Sequence, residues 1–86
     1  MPFTYMLRCC DQSLYTGYTV DMDKRLNMHL KGEASKYTRV RLPVEVVYVE
    51  EFDTKSDAMK RECAIKKLSK SEKEKLILSK PLVSQK

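Results

Sequence analysis

SLYTGYTVDMDKRLNMH, residues 13–29, changes its periodicity halfway along. Its first part, LYTGYT at 14–19, is made of β-forming residues and reads as a strand. After Asp21 the apolar residues fall at Met22, Leu26 and Leu30, the i, i+4, i+8 spacing of a buried helical stripe. Asp21 is a good N-cap and Gly32 a good terminator, so a helix is predicted over about 22–31. The same stretch holds two tyrosines flanking a glycine, an arginine, and the only histidine of the chain.

Upstream, FTYMLRCC at 3–10 reads as another strand, and Asp11-Gln12-Ser13 as a turn. Residues 3–19 therefore form a predicted hairpin. A three-residue loop would place Tyr5 and Tyr15 on one sheet face with Gly17 beside them. A two-residue loop would place the tyrosines on opposite faces.

Downstream, EASKYTRVRL at 33–42 is a polar, basic connection. Pro43 admits a strand at 44–52, the most apolar of the three, which is expected inside the domain. A second helix is predicted over 54–68. Ser69 and Glu72 form a capping box that starts a third helix, running to about Leu78. Residues 1–79 are expected to be one domain, and 80–86 a frayed tail. The order is β-β-α-β-α-α.

The chain has 86 residues, 42% hydrophobic and 34% charged, a globular balance. No apolar run nears the roughly 20 residues that span a bilayer. The start, MPFTYMLRCC, has no basic region leading into an apolar one, so no signal peptide is expected. Three cysteines, Cys9, Cys10 and Cys63, do not make a disulfide framework. Together with His29 they make a poor zinc set, because adjacent cysteines chelate badly. A cytoplasmic location is expected.

Net charge is +5, from 17 basic and 12 acidic residues. Lysines and arginines cluster in 31–41 and 60–76, which suits a polyanion partner.

On a helical wheel, Arg25 and His29 stack one turn apart at the edge of the Met22/Leu26/Leu30 stripe. In the second helix, Ala58, Met59, Cys63, Ile65 and Leu68 define an apolar arc, and Glu62 falls inside it. A carboxylate facing a core has to be paired or bound to a cation. Lys66 at i+4 is one partner; a rotated helix with Glu62 at its edge is another answer; a divalent ion completed by water and phosphate is a third. These residues make a set for phosphodiester hydrolysis. Tyr15 would relay or accept a proton, Arg25 clamp a phosphate oxygen, and Glu62 hold a metal near the leaving group.

The chain resembles the GIY-YIG nuclease domain over about residues 3 to 78. Phe3-Thr4-Tyr5 stands at the family's first triplet and Tyr15-Thr16-Gly17 at its second. Arg25 lies within Asp23-Lys24-Arg25-Leu26, His29 follows one turn on, and Glu62 matches the glutamate of the later helix. Lys36-Tyr37-Thr38-Arg39 and Ile65-Lys66-Lys67-Leu68-Ser69 resemble the small, single-domain bacterial branch more closely, which is itself similar to the catalytic subunit of a eukaryotic structure-selective nuclease.

The resemblance implies an α/β protein of the α+β type, with a three-stranded mixed or antiparallel sheet flanked by helices. It implies cleavage of DNA with one Mg²⁺ or Mn²⁺. It gives Tyr5 and Tyr15 the water, Arg25 the phosphate, His29 the part of base or hydrogen-bond partner, and Glu62 the metal. Lys36, Arg39, Arg41, Lys66 and Lys67 are the expected DNA contacts. Phe3 and Thr4 depart from the family's glycine and isoleucine, and Tyr18 stands where some relatives have a lysine. A cation to replace that lysine would come from Lys36, Arg39 or Arg41.

The expected partner is therefore branched, bent or damaged DNA, read through phosphates rather than bases. A monomer is expected, with a protein partner to direct it. The competing classes are a DNA-binding module without turnover, and an interaction protein in which Arg25, His29 and Glu62 form a structural network.

Overall fold

A computed structural model describes residues 1–79; the frayed tail expected at 80–86 lies outside the described residues. Strand β1 (Phe3–Arg8) pairs antiparallel with β2 (Leu14–Thr19) on one side and β3 (Glu45–Glu51) on the other. The sheet order is β2-β1-β3, so the mixed arrangement is not adopted. The strongly apolar β3 takes an edge, and β1 is central.

The hairpin closes where Cys9 N–H donates to Ser13 O at 2.9 Å and Gln12 N–H to Cys9 O at 2.9 Å. Cys10, Asp11 and Gln12 form the loop, with Gln12 in the left-handed region at φ 71°. Three loop residues preserve parity, so Leu7 faces Tyr15 and Tyr5 faces Gly17. Both tyrosines are on one face, as the three-residue alternative required.

The two faces have separate cores. Tyr5, Leu7, Cys9 and Val44 pack with Met22 and Leu26 of helix α1 (Met22–Leu30). Met6, Tyr48 and Ile65 pack with Leu76 and Ile77, under α3 (Lys55–Lys66) and α4 (Lys70–Ser79). Met6 and Leu7 are both fully buried, each stabilising the fold by about 1.5–3 kcal/mol. In β3 the register shifts: Tyr48 faces Met6 but Val46 faces Leu7. This bulge at Val47 lets Val46 and Val49 serve one core while Tyr48 serves the other.

Helix ends follow local chemistry. Asp21 Oδ1 accepts from Lys24 N–H at 3.1 Å. Gly32, at φ 77°, donates to His29 O while Glu33 N–H reaches Met28 O, a Schellman ending. Ser69 and Glu72 cap each other reciprocally at 2.9 and 3.2 Å.

Three expectations are corrected. The connection at 33–42 contains a short helix, α2 (Lys36–Arg39), capped by Ser35. Leu30 is 46% exposed, and His29 takes the buried place in the stripe. Met59 and Cys63 are exposed, so the buried line of α3 runs through Ala58 and Ile65. The helix is rotated from its hydrophobicity arc because Thr4, buried in β1, donates to Ala58 O at 2.7 Å and fixes that side to the sheet.

Candidate active site

Tyr5 and His29 are both buried, and Tyr5 Oη lies 2.8 Å from His29 Nε2. On its other side His29 Nδ1 is 2.8 Å from Thr38 Oγ1, and Thr38 in turn reaches Ser35 O at 3.4 Å. With the Thr38 hydroxyl donating to Ser35 O, His29 Nδ1–H donates to Thr38 and Nε2 accepts the Tyr5 hydroxyl. With Thr38 donating to Nδ1, His29 Nε2–H donates to Tyr5. The first arrangement keeps all three bonds of the chain, whereas the second gives up the Thr38–Ser35 bond.

Burial pushes the Tyr5 phenol well above its ordinary range, with nearby Tyr15 adding to the effect and Arg25 opposing it. Burial first and Arg25 second lower the His29 imidazole to about 4. Both groups are therefore neutral near pH 7.

Tyr15 is the more open tyrosine. Its ring meets His29 edge-on at 5.2 Å and Tyr5 at 6.4 Å. Gly17 makes this possible: a Cβ there would lie 2.7 Å from Tyr5 Oη and 3.2 Å from Tyr15 Cε2. Arg25 is half-buried and acts electrostatically on both Tyr5 and His29. Among the described residues it has no ion-pair partner. Arg25 is the cation whose charge opposes the rise of the Tyr5 phenol. Its side chain lines two depressions at one end of β2, one of about 370 Å³ with Lys24 and one of about 170 Å³ with Tyr18 and Lys55.

Glu62 reaches the field of Tyr5 from α3, where its charge also raises the phenol. Its side chain is 20% exposed, and Lys66 Nζ is 3.1 Å from a carboxylate oxygen. The two structural answers hold together: the helix is rotated and the carboxylate is paired at i+4. Tyr5, Tyr15, Arg25, His29 and Glu62 are therefore gathered from a hairpin, α1 and α3.

The expected DNA contacts divide. Lys66 lines a groove of about 250 Å³ with Leu14, Tyr15, Thr16, Tyr37 and Lys73. Arg41 lies 3.9 Å over the Tyr37 ring and is tied to Asp11 at 3.1 Å. Arg39 packs its stem near Gly32. Lys36 and Lys67 are exposed and line none of these depressions.

Sequence reasoning missed Tyr37, Thr38 and Lys73 as parts of this region. Tyr37 had a signal: it is a lone aromatic in a polar, basic stretch. Thr38 stood in the Lys36-Tyr37-Thr38-Arg39 stretch that resembles the bacterial branch, but nothing in that stretch says that its threonine orients a histidine.

Such a cluster, on a three-stranded antiparallel sheet, defines a GIY-YIG-type protein. The GIY-YIG catalytic domain profile matches residues 1–75, and the chain belongs to that nuclease family. Within it the chain is similar to the UPF0213 proteins. It is 52% identical to one from Natronomonas pharaonis and 56% to one from Oceanobacillus iheyensis, each over 75 residues. Those alignments cover 87% of this chain, and 88% and 87% of the respective relatives. The solution NMR structure of a UPF0213 protein from Bacillus halodurans is 42% identical, with a TM-score of 0.63 over 95% of this chain and 88% of that one.

Proposed function

We propose that this chain is a divalent-metal-dependent endonuclease that hydrolyses phosphodiester bonds of branched, bent or damaged DNA, in repair or processing. One observation carries the reading: a half-buried arginine without an ion-pair partner among the described residues sits beside a buried tyrosine–histidine pair. A guanidinium in that position is available to an anion.

Arg25 pairs with a non-bridging phosphate oxygen and stabilises the charge that builds there. Tyr15, the open tyrosine, accepts or relays the proton of the attacking water. Tyr5 stays protonated because of its burial, and its hydrogen bond to His29 positions the ring against which Tyr15 rests. Glu62 is the residue that would hold Mg²⁺ or Mn²⁺. It is a hard oxygen donor, and among the described residues no cluster of three potential ligands surrounds it. Such a donor suits an ion that takes the rest of its shell from water and phosphate. When bound, the ion supplies Lewis-acid stabilisation of the phosphate.

Basic residues stand at both ends of β2: Lys24, Arg25 and Lys55 at one, Lys66 and Lys73 at the other. They supply phosphate contacts without base readout, which favours selection by DNA structure. We read residues 1–79 as one monomeric domain that a protein partner directs. The unpaired thiols Cys9, Cys10 and Cys63 suit a reducing cytoplasm. Among the described residues no helix is long and apolar enough to cross a membrane.

The test is to incubate the protein with supercoiled plasmid and Mg²⁺, Mn²⁺ or chelator. Nicked circles that need the metal are expected; intact plasmid under every condition would contradict the proposal. A second reading, a DNA-binding module without turnover, is favoured by the Glu62–Lys66 ion pair and by Tyr18. It predicts shifted DNA mobility with no product.

A further inference from the structure

The groove between β2 and α4 is not needed by the hydrolytic residues, yet it adjoins them through Tyr15. Its aromatic wall is Tyr15 and Tyr37, stacked at 6.0 Å between centroids and 25° between planes. That separation leaves the rings offset, with part of each uncovered by the other. Tyr37 is 37% exposed, a large aromatic at the surface. Arg41 covers it at 3.9 Å, and is itself fixed by Asp11 and by donation to Tyr37 O at 2.9 Å. The ring is thus held rigidly although it lies at the surface.

The groove's charged residues are Lys66 and Lys73, both cations. Among the described residues Lys73 has no ion-pair partner. Thr16 stands next to Tyr15 on β2, with its side chain on the Met6 face of the sheet. It lines the groove, is 4% exposed, and its hydroxyl has no hydrogen-bond partner among the described residues.

A partly uncovered aromatic ring and two lysines fit a nucleotide. We propose that this groove is a subsite for one unpaired nucleotide of a DNA strand next to the scissile phosphate. Its base packs on the part of the Tyr37 ring that Tyr15 and Arg41 leave uncovered, and its phosphate lies between Lys66 and Lys73. A paired base has its faces stacked within the duplex and cannot use the wall, so the subsite selects DNA with a single-stranded segment at the cleavage point. The inference rests on the nuclease reading for its biological sense, but not for its test.

The experiment measures binding in chelator, by fluorescence anisotropy, of a fully paired duplex and of the same duplex with a single-stranded arm. Wild type is expected to bind the armed duplex about tenfold more tightly. Tyr37→Ala is expected to remove that preference and leave binding of the paired duplex within about twofold, while Tyr37→Trp keeps it. Lys73→Gln is expected to weaken both and to lower the salt slope by about one. Equal wild-type affinity for the two DNAs would overturn the proposal, as would loss on both DNAs alike in Tyr37→Ala. Should Tyr37→Ala fail to fold, the wild-type ratio and Lys73→Gln decide the question. Cleavage of the same DNAs with Mn²⁺ separates the two ideas. Cutting without preference for the arm defeats the subsite and leaves the nuclease; preference in binding without cutting does the reverse.

Discussion

His29 carries the most distinctive pH signature of any residue in the site. It is buried and neutral, with its imidazole lowered to about 4, while in the unfolded chain it titrates near 6.5. Below about 6.5 the unfolded state takes up a proton that the folded state refuses. The stability is therefore present above about pH 6.5 and is lost as pH falls toward about 4, by an amount on the order of 2–3 kcal/mol. Thermal unfolding between pH 7 and 4.5 should show this fall, and His29→Gln should flatten it. The paired carboxylates Asp11 and Glu74 are lowered below their ordinary values, so their own losses come at more acidic pH. Gly17 makes a second point at this scale. Gly17→Ala would drive a methyl group to within 2.8 Å of Tyr5 Cζ, inside the core. Overpacking of that kind costs about 1–3 kcal/mol, visible as a lowered denaturation midpoint. A third concerns Arg25, whose removal orphans no carboxylate among the described residues. Arg25→Ala should cut the cleavage rate by about 10²–10³-fold with the melting temperature little changed. These residues were readable in the sequence because glycine, histidine and arginine stood at marked positions of a strand and a helix. Their burial was not readable. Leu30 and His29 lie about 100° apart, on opposite flanks of the Met22–Leu26 line, and only the packing of α1 decides which flank goes inside.

At the level of elements, legibility followed the strength of local chemistry. Asp21, Gly32 and the Ser69–Glu72 box mark helix ends through hydrogen bonds between near neighbours, and all are in place. Helix α2 escaped notice because four residues offer no periodicity. The apolar run of β3 suggested a strand inside the domain, but its bulge distributes the same valines over two cores from the edge of the sheet. The face of α3 depends on a contact 54 residues apart, Thr4 to Ala58, which no local pattern contains. Helix α4 brings Lys73 to the groove, and it is tied to the sheet by the two-pronged Arg8–Glu74 pair at 2.8 and 2.7 Å. Ser69→Ala should remove half of its capping box. A loss of about 1 kcal/mol, some 4–8 °C in melting temperature for a domain of this size, is expected by calorimetry.

For the whole molecule, the arrangement of charge matters more than its sum. The net charge of +5 is compatible with many partners. The structure separates the cations that flank β2 from those, such as Lys36 and Lys67, that stand away from these depressions. The family was legible from the ordered positions Tyr5, Tyr15, Arg25, His29 and Glu62. The groove was not, because it joins residues from β2, α2, α3 and α4 that lie far apart in the chain. The central claim is that Glu62 serves a metal in a hydrolytic site rather than a structural ion pair. It is tested most directly by comparing wild type with Glu62→Ala for nicking of supercoiled plasmid in Mg²⁺ or Mn²⁺, with melting temperatures measured alongside. Metal-dependent nicking by wild type that vanishes in a mutant of unchanged or raised melting temperature is the predicted result. A mutant that still nicks, or one that loses activity only because it melts several degrees lower, would contradict it.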